Sequence, residues 1–284
     1  RGARCLAWIR DVAVVVGFND AFVRCFDAAT GELEWELPTA HRAAVAAVAC
    51  HVDASLAYLV SGADDGSVRV WNVSTRRVMM QFAEHHKAVV AIAIDRANPR
   101  LFHTAGRDCA VLTHDLKTER RTVAHMQSHR KGGAFTGLSQ NADAERELVT
   151  TDATGHLLFW DCDYADPVGA MSLTGRHGPC LSARTTTTGP PLAAAVRSVT
   201  VSPSGQYLAV ARDETLLIFE LASGAPAGGP IPPPTLVAEG WAHSDTVRDL
   251  QWSPDERQLV SVADDACICV WNFFGASTTT TPES

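Results

Sequence analysis

Along this chain, apolar residues either alternate with polar ones or gather in short runs, and turn residues break both patterns. Val68-Arg69-Val70-Trp71 alternates, while Val45 to Val48 and Leu56 to Val60 are nearly continuous apolar runs. A period of two marks a strand with one buried face, and a short apolar run between turn residues fits a strand covered on both faces. Asp64-Asp65-Gly66 supplies a turn between two such stretches. No segment carries a convincing helical period, so the expectation is an all-β protein. The longest apolar runs, such as Val12 to Val16, fall far short of the roughly 20 residues that a membrane-crossing helix needs.

The strands are organised by a repeat. Six times an aspartate or its substitute is followed, after a short apolar stretch, by an aromatic or its substitute and then an acidic or amide residue. The clear copies run from Asp20 to Phe26-Asp27, Asp65 to Trp71-Asn72, Asp213 to Phe219-Glu220 and Asp265 to Trp271-Asn272. In one altered copy Asp108 leads to His114-Asp115, and in another Thr154 stands before Trp160-Asp161. The aromatic positions 26, 71, 114, 160, 219 and 271 lie 45, 43, 46, 59 and 52 residues apart. One blade of a radial β architecture takes about 40 to 45 residues, so the spacing predicts a single ring of small sheets, each burying its faces against its neighbours.

These residues resemble the WD-repeat family over nearly the whole chain. The family's pattern adds a histidine before each unit's first strand and a serine or threonine four residues before the aspartate. His41, Ser61, Asp65 and Trp71 complete one set, and His243, Ser261, Asp265 and Trp271 another. The resemblance implies that each set is linked by hydrogen bonds, which would offset the cost of burying an aspartate and a histidine. The third unit is read with His86, Thr104 and Asp108, and the fourth with Thr150 and His129 but no acid. Val16 and Ala209 replace the hydroxyl residue in the first and fifth. The implied fold is a β-propeller of four-stranded antiparallel blades over residues 1–274, with a flexible tail at 275–284. Six units are recognisable where the family commonly has seven, so the expected ring lacks a strand or a seventh blade.

The two long intervals hold insertions, at His177 to Val196 and at Ala225 to Pro234, rich in Thr, Gly and Pro. Such composition reads as surface loop, with a partner-contacting arm as the functional alternative. The residue before each turn aspartate is expected on the top face: Asn19, Asp64, Arg107, Ala153, Arg212 and Asp264. By resemblance, Arg197, Thr246 and Arg248 at the start of inner strands reach the same face.

Composition and charge narrow the function. The formal net charge of −8 disfavours nucleic acid and anionic membranes as partners. The eight cysteines form no CxxC pair and no disulfide-type spacing, which suits a reduced, cytosolic protein. Phosphate-loop, nucleophile-elbow, zinc-protease and dinucleotide motifs are absent from the sequence. His85-His86 point to opposite faces if on a strand, so they make a poor metal pair. Cys267 and Cys269 share a side but lack further convergent ligands. Asp161, Asp163 and Asp166 read as a solvated turn. Lys117 to Arg121, with His129-Arg130-Lys131 nearby, reads as a charged loop able to meet an acidic partner.

The resulting expectation is a non-enzymatic scaffold without cofactor, metal or small-molecule substrate, whose partners are other proteins in a multi-subunit complex. The last repeat, and the segment from Phe102 to Trp160, are similar to tandem-propeller proteins of cilia and microtubules. A cytoplasmic, cytoskeletal or ciliary location follows from that likeness. A nucleolar ribosome-biogenesis component and a propeller-based hydrolase are the alternatives.

Overall fold

A computed structural model describes residues 2–10, 12–118, 120–126, 133–140, 147–161, 167, 169–173, 196–221 and 233–274. Both insertions lie outside these residues, except Val196, Pro233 and Pro234. So do the 275–284 tail, Asp163, Asp166 and the stretch His129-Arg130-Lys131.

Every regular element among the described residues is a strand. Six antiparallel meanders follow one another, at residues 3–37, 45–82, 89–126, 135–172, 196–241 and 247–272. Blades one to five have four strands each, and the sixth has three among the described residues. The inner strands are Ala3–Ile9, Val45–Val52, Val89–Ile94, Phe135–Gln140, Val196–Val201 and Val247–Trp252, and each packs beside the next from blade one to blade six.

A four-stranded meander has two faces and no core of its own, so its apolar residues must be covered by adjacent blades. Five buried clusters do this. Val15, Val23 and Cys25 meet Val45, Val48 and Leu59 between blades one and two. Val60, Val68 and Val70 meet Val89 and Phe102 between two and three. Ala105 and Val111 meet Phe135 and Trp160, then Val149 and Phe159 meet Val199 and Val210, and finally Ala209 and Ile218 meet Val247 and Leu250. The fit is close: a Cβ on Gly62 would come within 2.6 Å of Val89, so a side chain there would force blades two and three apart.

Each blade turns between its second and third strands through one residue at positive φ: Ala21, Gly66, Cys109, Gly155, Asp213 and Ala266. Glycine takes this conformation without strain, whereas the other residues need local hydrogen bonds to hold it. The preceding aspartates provide them, with Asp20, Asp65, Asp108 and Asp265 accepting the backbone N–H two residues on. Blade five closes with a tighter two-residue turn, Asp213-Glu214, so Asp213 occupies the strained position itself.

The histidine networks form, with three departures from the sequence reading. In blade six the side chains join directly: Trp271 Nε1 donates to Ser261 Oγ at 2.8 Å, Ser261 lies 2.7 Å from His243 Nε2, and Asp265 lies 3.1 Å from His243 Nδ1. In blade two Asp65 reaches His41 through Ser67, whose Oγ is 2.6 Å from Asp65 and 2.7 Å from His41 Nδ1. In blade three the networked histidine is His85, not His86; it meets Thr104 at 2.8 Å and Asp108 at 3.0 Å, while His86 is exposed. In blade four an acid is present after all. Asp152, fully buried, accepts from Thr154 N, Thr154 Oγ1 and His156 N, two residues before the position where the repeat places it.

Carboxylates can only accept, and that fixes the proton order in blade two. Ser67 donates to Asp65, so His41 Nδ1–H donates to Ser67. His41 Nε2 then accepts from Ser61, and Ser61 accepts from Trp71 Nε1–H at 2.8 Å. The order requires a neutral imidazole. Burial, with Arg69 adding to it, lowers the His41 pKa from 6.5 to about 4. A further buried group, missed by the repeat pattern, ties blade three to blade four: Asp95 meets His103 Nε2 and Gln140 Nε2, each at 3.1 Å.

Candidate protein-binding face

The inner strands line a central cavity of about 710 Å3. At one end all six share the same irregularity. Immediately after its first residue each inner strand slips register by one, leaving Arg4, Ala46, Val90, Thr136, Arg197 and Arg248 as extra residues. A bulge of this kind re-aims a side chain out of the regular alternation. All six residues line one cavity of about 340 Å3 at the mouth of the ring, with Asp64, Arg107 and Ala153 from the adjoining turns.

The mouth is two-sided. Blades five, six and one each present a bulged arginine, whereas blades two, three and four present Ala46, Val90 and Thr136. Arg4 is held by Asp64 at 2.5 Å, and Arg248 Nε donates to Asp264 at 2.8 Å, a pairing that lowers the Asp264 pKa. Among the described residues neither Arg107 nor Arg197 has a carboxylate within ion-pair distance; both are exposed, and the charge of Arg197 adds to the lowering of the Asp264 pKa. A guanidinium offers a planar fork of N–H donors matched to carboxylates. Arg107 and Arg197 can therefore pair with carboxylates brought to this face.

Of the nine top-face residues expected from sequence, Asp64, Arg107, Ala153, Arg197 and Arg248 line this cavity, and Asp264 supports it through Arg248. Asn19, Arg212 and Thr246 are not among the lining residues. Arg212 instead reaches Glu239 and the Leu173 carbonyl, Asn19 bonds Gly2 through its backbone, and Thr246 N bonds the Asp245 side chain. Arg4 was missed, although it opens an inner strand as Arg197 and Arg248 do. Cys269 Sγ lies 4.0 Å from His243 Nδ1, and among the described residues no group of three or more His, Cys, Asp or Glu side chains could hold a metal ion.

A radial ring of antiparallel blades, stitched by buried histidine networks and offering a charged mouth, defines the class of β-propellers. The WD domain, G-beta repeat family model matches residues 31–72, 183–220 and 235–272. The chain is a β-propeller with WD repeats in these three places. Two matches begin on or just before the outer strand of one blade and end with the third strand of the next, so repeat and blade are out of phase by one strand.

Among curated proteins the chain is similar to Cilia- and flagella-associated protein 52 of Sus scrofa, 22% identical over 264 residues, covering 92% of this chain and 37% of the relative. The Homo sapiens protein of the same name matches to the same extent. The chain thus spans little more than a third of the length of these relatives. Protein hir-1 of Neurospora crassa is 31% identical over 140 residues, covering 45% of this chain and 13% of that protein. Among solved structures, "Structure of U3-55K" superposes with a TM-score of 0.73 at 19% identity, covering 91% of this chain and 72% of that one. A chain of "Crystal Structure of Mitotic Checkpoint Complex" also gives 0.73, at 18% identity, covering 92% and 73%. These two share the fold.

Proposed function

We propose that this propeller is a non-enzymatic scaffold in a multi-protein assembly of ciliary or microtubule-associated type, and that it grips an acidic segment of a partner protein at its mouth. The observation that carries the binding reading is the set of bulged arginines on blades five, six and one, which line one cavity with Arg107. In a chain of net charge −8, such a local basic cluster is selective for acidic partners. The ciliary reading is supported by likeness to Cilia- and flagella-associated protein 52 along 92% of the chain.

The test is anisotropy of a labelled polyglutamate peptide with the chain and with Arg107→Glu/Arg197→Glu. Binding is expected to fall at least tenfold in the variant without loss of melting temperature, because rim charges govern recognition more than folding. It should also weaken as salt shortens the screening length to about 8 Å at physiological strength. Equal binding by both proteins refutes the mouth as the acidic-segment site. Tagged protein in the nucleolus rather than at cilia or microtubules would transfer the scaffold to the ribosome-biogenesis alternative.

A further inference from the structure

Four arginines line the cavity at the mouth, Arg4, Arg107, Arg197 and Arg248, and they are not equivalent. Two are already engaged. Arg248 is held through Nε and Nη2 by the two carboxylate oxygens of Asp264, and Arg4 by Asp64. An incoming carboxylate would there compete with one tethered on the same rim, which has the advantage of effective concentration. Arg107 and Arg197 are exposed and have no ion-pair partner among the described residues.

These two cations flank one blade. Arg107 follows the strand Leu101–Gly106 of blade three, and Arg197 is the bulged residue of Val196–Val201 in blade five. Between them blade four contributes Ala134, Phe135, Thr136 and Ala153 to the cavity wall, all uncharged. Phe135 is fully buried, while Ala134 and Thr136 are half-buried and Ala153 is exposed, so the side chains that meet the opening are small. A polypeptide backbone can lie close over such a wall. Size decides what can bridge the two arginines. The cavity holds about 340 Å3, which for a round space is about 9 Å across, narrower than the roughly 10–12 Å of an α-helix with its side chains. An extended chain fits, and its alternate side chains point to one side about 7 Å apart. Adjacent residues point to opposite sides, and residues four apart stand roughly 13 Å from each other, beyond the width of the cavity.

We infer, on the basis of the acidic-segment reading of this mouth, that it selects an extended partner segment with acidic residues at alternate positions, i and i+2. One carboxylate pairs with Arg107 and the other with Arg197, and the main chain between them crosses blade four. Each guanidinium presents a fork of N–H donors to its carboxylate. The residue between the two acids points away from the ring, so its identity is open. Once one carboxylate is held, pairing of the second is intramolecular, and that gain separates this motif from an acidic segment of any other spacing.

The test is competition anisotropy at low ionic strength, with labelled polyglutamate as the displaced probe. Three short Gly/Ser peptides of equal length and net charge each carry two glutamates, placed at adjacent, alternate or i,i+4 positions. The alternate peptide is expected to compete at least fivefold better than the other two. In Arg107→Gln and in Arg197→Gln that advantage should vanish, leaving the three peptides within twofold of one another. Both variants should melt at the parent temperature, because both side chains are exposed and unpaired among the described residues. An advantage under fivefold while polyglutamate binds overturns the motif and leaves the acidic-segment reading standing. An advantage that survives either arginine variant overturns it too, because other groups would then be reading the spacing. Failure of polyglutamate itself to bind overturns the reading and the motif together.

Discussion

Ser61→Ala removes the oxygen at the centre of the blade-two relay. Ser61 is fully buried, accepts from Trp71 Nε1–H at 2.8 Å and lies 2.7 Å from His41 Nε2. Truncation strands two polar groups of buried residues, an indole N–H and an imidazole nitrogen. A buried group left without its partner costs about 1–3 kcal/mol, so the loss should come to about 2–4 kcal/mol, far above the cost of one hydroxyl's packing. Urea melts followed by tryptophan fluorescence and circular dichroism read this as a lower midpoint at unchanged slope. Ser61→Thr is the control, because Thr104 and Thr150 fill the same place in blades three and four and bond their own partners. The threonine variant should keep most of the stability. An alanine variant that loses under about 1 kcal/mol, or a threonine variant as weak as alanine, would show that the hydroxyl is not the joint of the network.

Four further outcomes are expected. Ser67→Ala should lower the denaturation midpoint, because Asp65 reaches His41 only through that hydroxyl, whereas Cys267→Ala at the matching place in blade six should leave it unchanged, since Asp265 contacts His243 directly. Because His41 stays neutral in the fold down to about pH 4 but protonates near 6.5 when unfolded, stability should fall as pH drops from about 6.5 to about 4, by at most about 1.4 kcal/mol per unit, and His41→Gln should flatten that window. Below it, the lowered pKa values of Asp65, Asp108 and Asp265 mean that their stabilisation, present above the ordinary carboxylate range, is lost on further acidification; a monotonic rise in melting temperature toward pH 3 would contradict this. Ala266→Gly and Ala21→Gly should each raise the midpoint, because relief at φ +61° and +64° outweighs glycine's extra chain entropy by about 0.5–1 kcal/mol.

The ring was legible because its punctuation lies along the chain: a turn aspartate and a following aromatic at near-constant spacing report each blade without any knowledge of contacts. The networks were less so. The interval from histidine to aspartate drifts from 24 residues in blade two to 22 in blade six, so both His85 and His86 suited blade three, and only burial separates them. Ser67 gave no signal, because its role depends on Asp65 meeting His41 through a hydroxyl placed between them, an arrangement that spacing does not encode. Asp152 was passed over because it serves its turn from the end of a strand instead of from within the turn. At the mouth, the turn rule placed Asp64 and Arg107 but also chose Asn19 and Arg212. Side-chain direction there follows from the one-residue slip of each inner strand, and alternation of apolar and polar residues is blind to that slip.

That slip frees six positions from the arithmetic of the sheet. A residue inside the ladder answers to an opposite number on the neighbouring strand and to the blade packed behind it, so changing it is paid for twice. Arg4, Ala46, Val90, Thr136, Arg197 and Arg248 have no opposite number in the ladder and open onto a shared space. The protein can therefore exchange what it recognises one blade at a time, arginine for alanine or valine for threonine, while the hydrogen-bonded frame beneath stays as it was. A library randomised at those six codons alone should yield folded rings with new preferences far more often than one randomised at six neighbouring ladder positions.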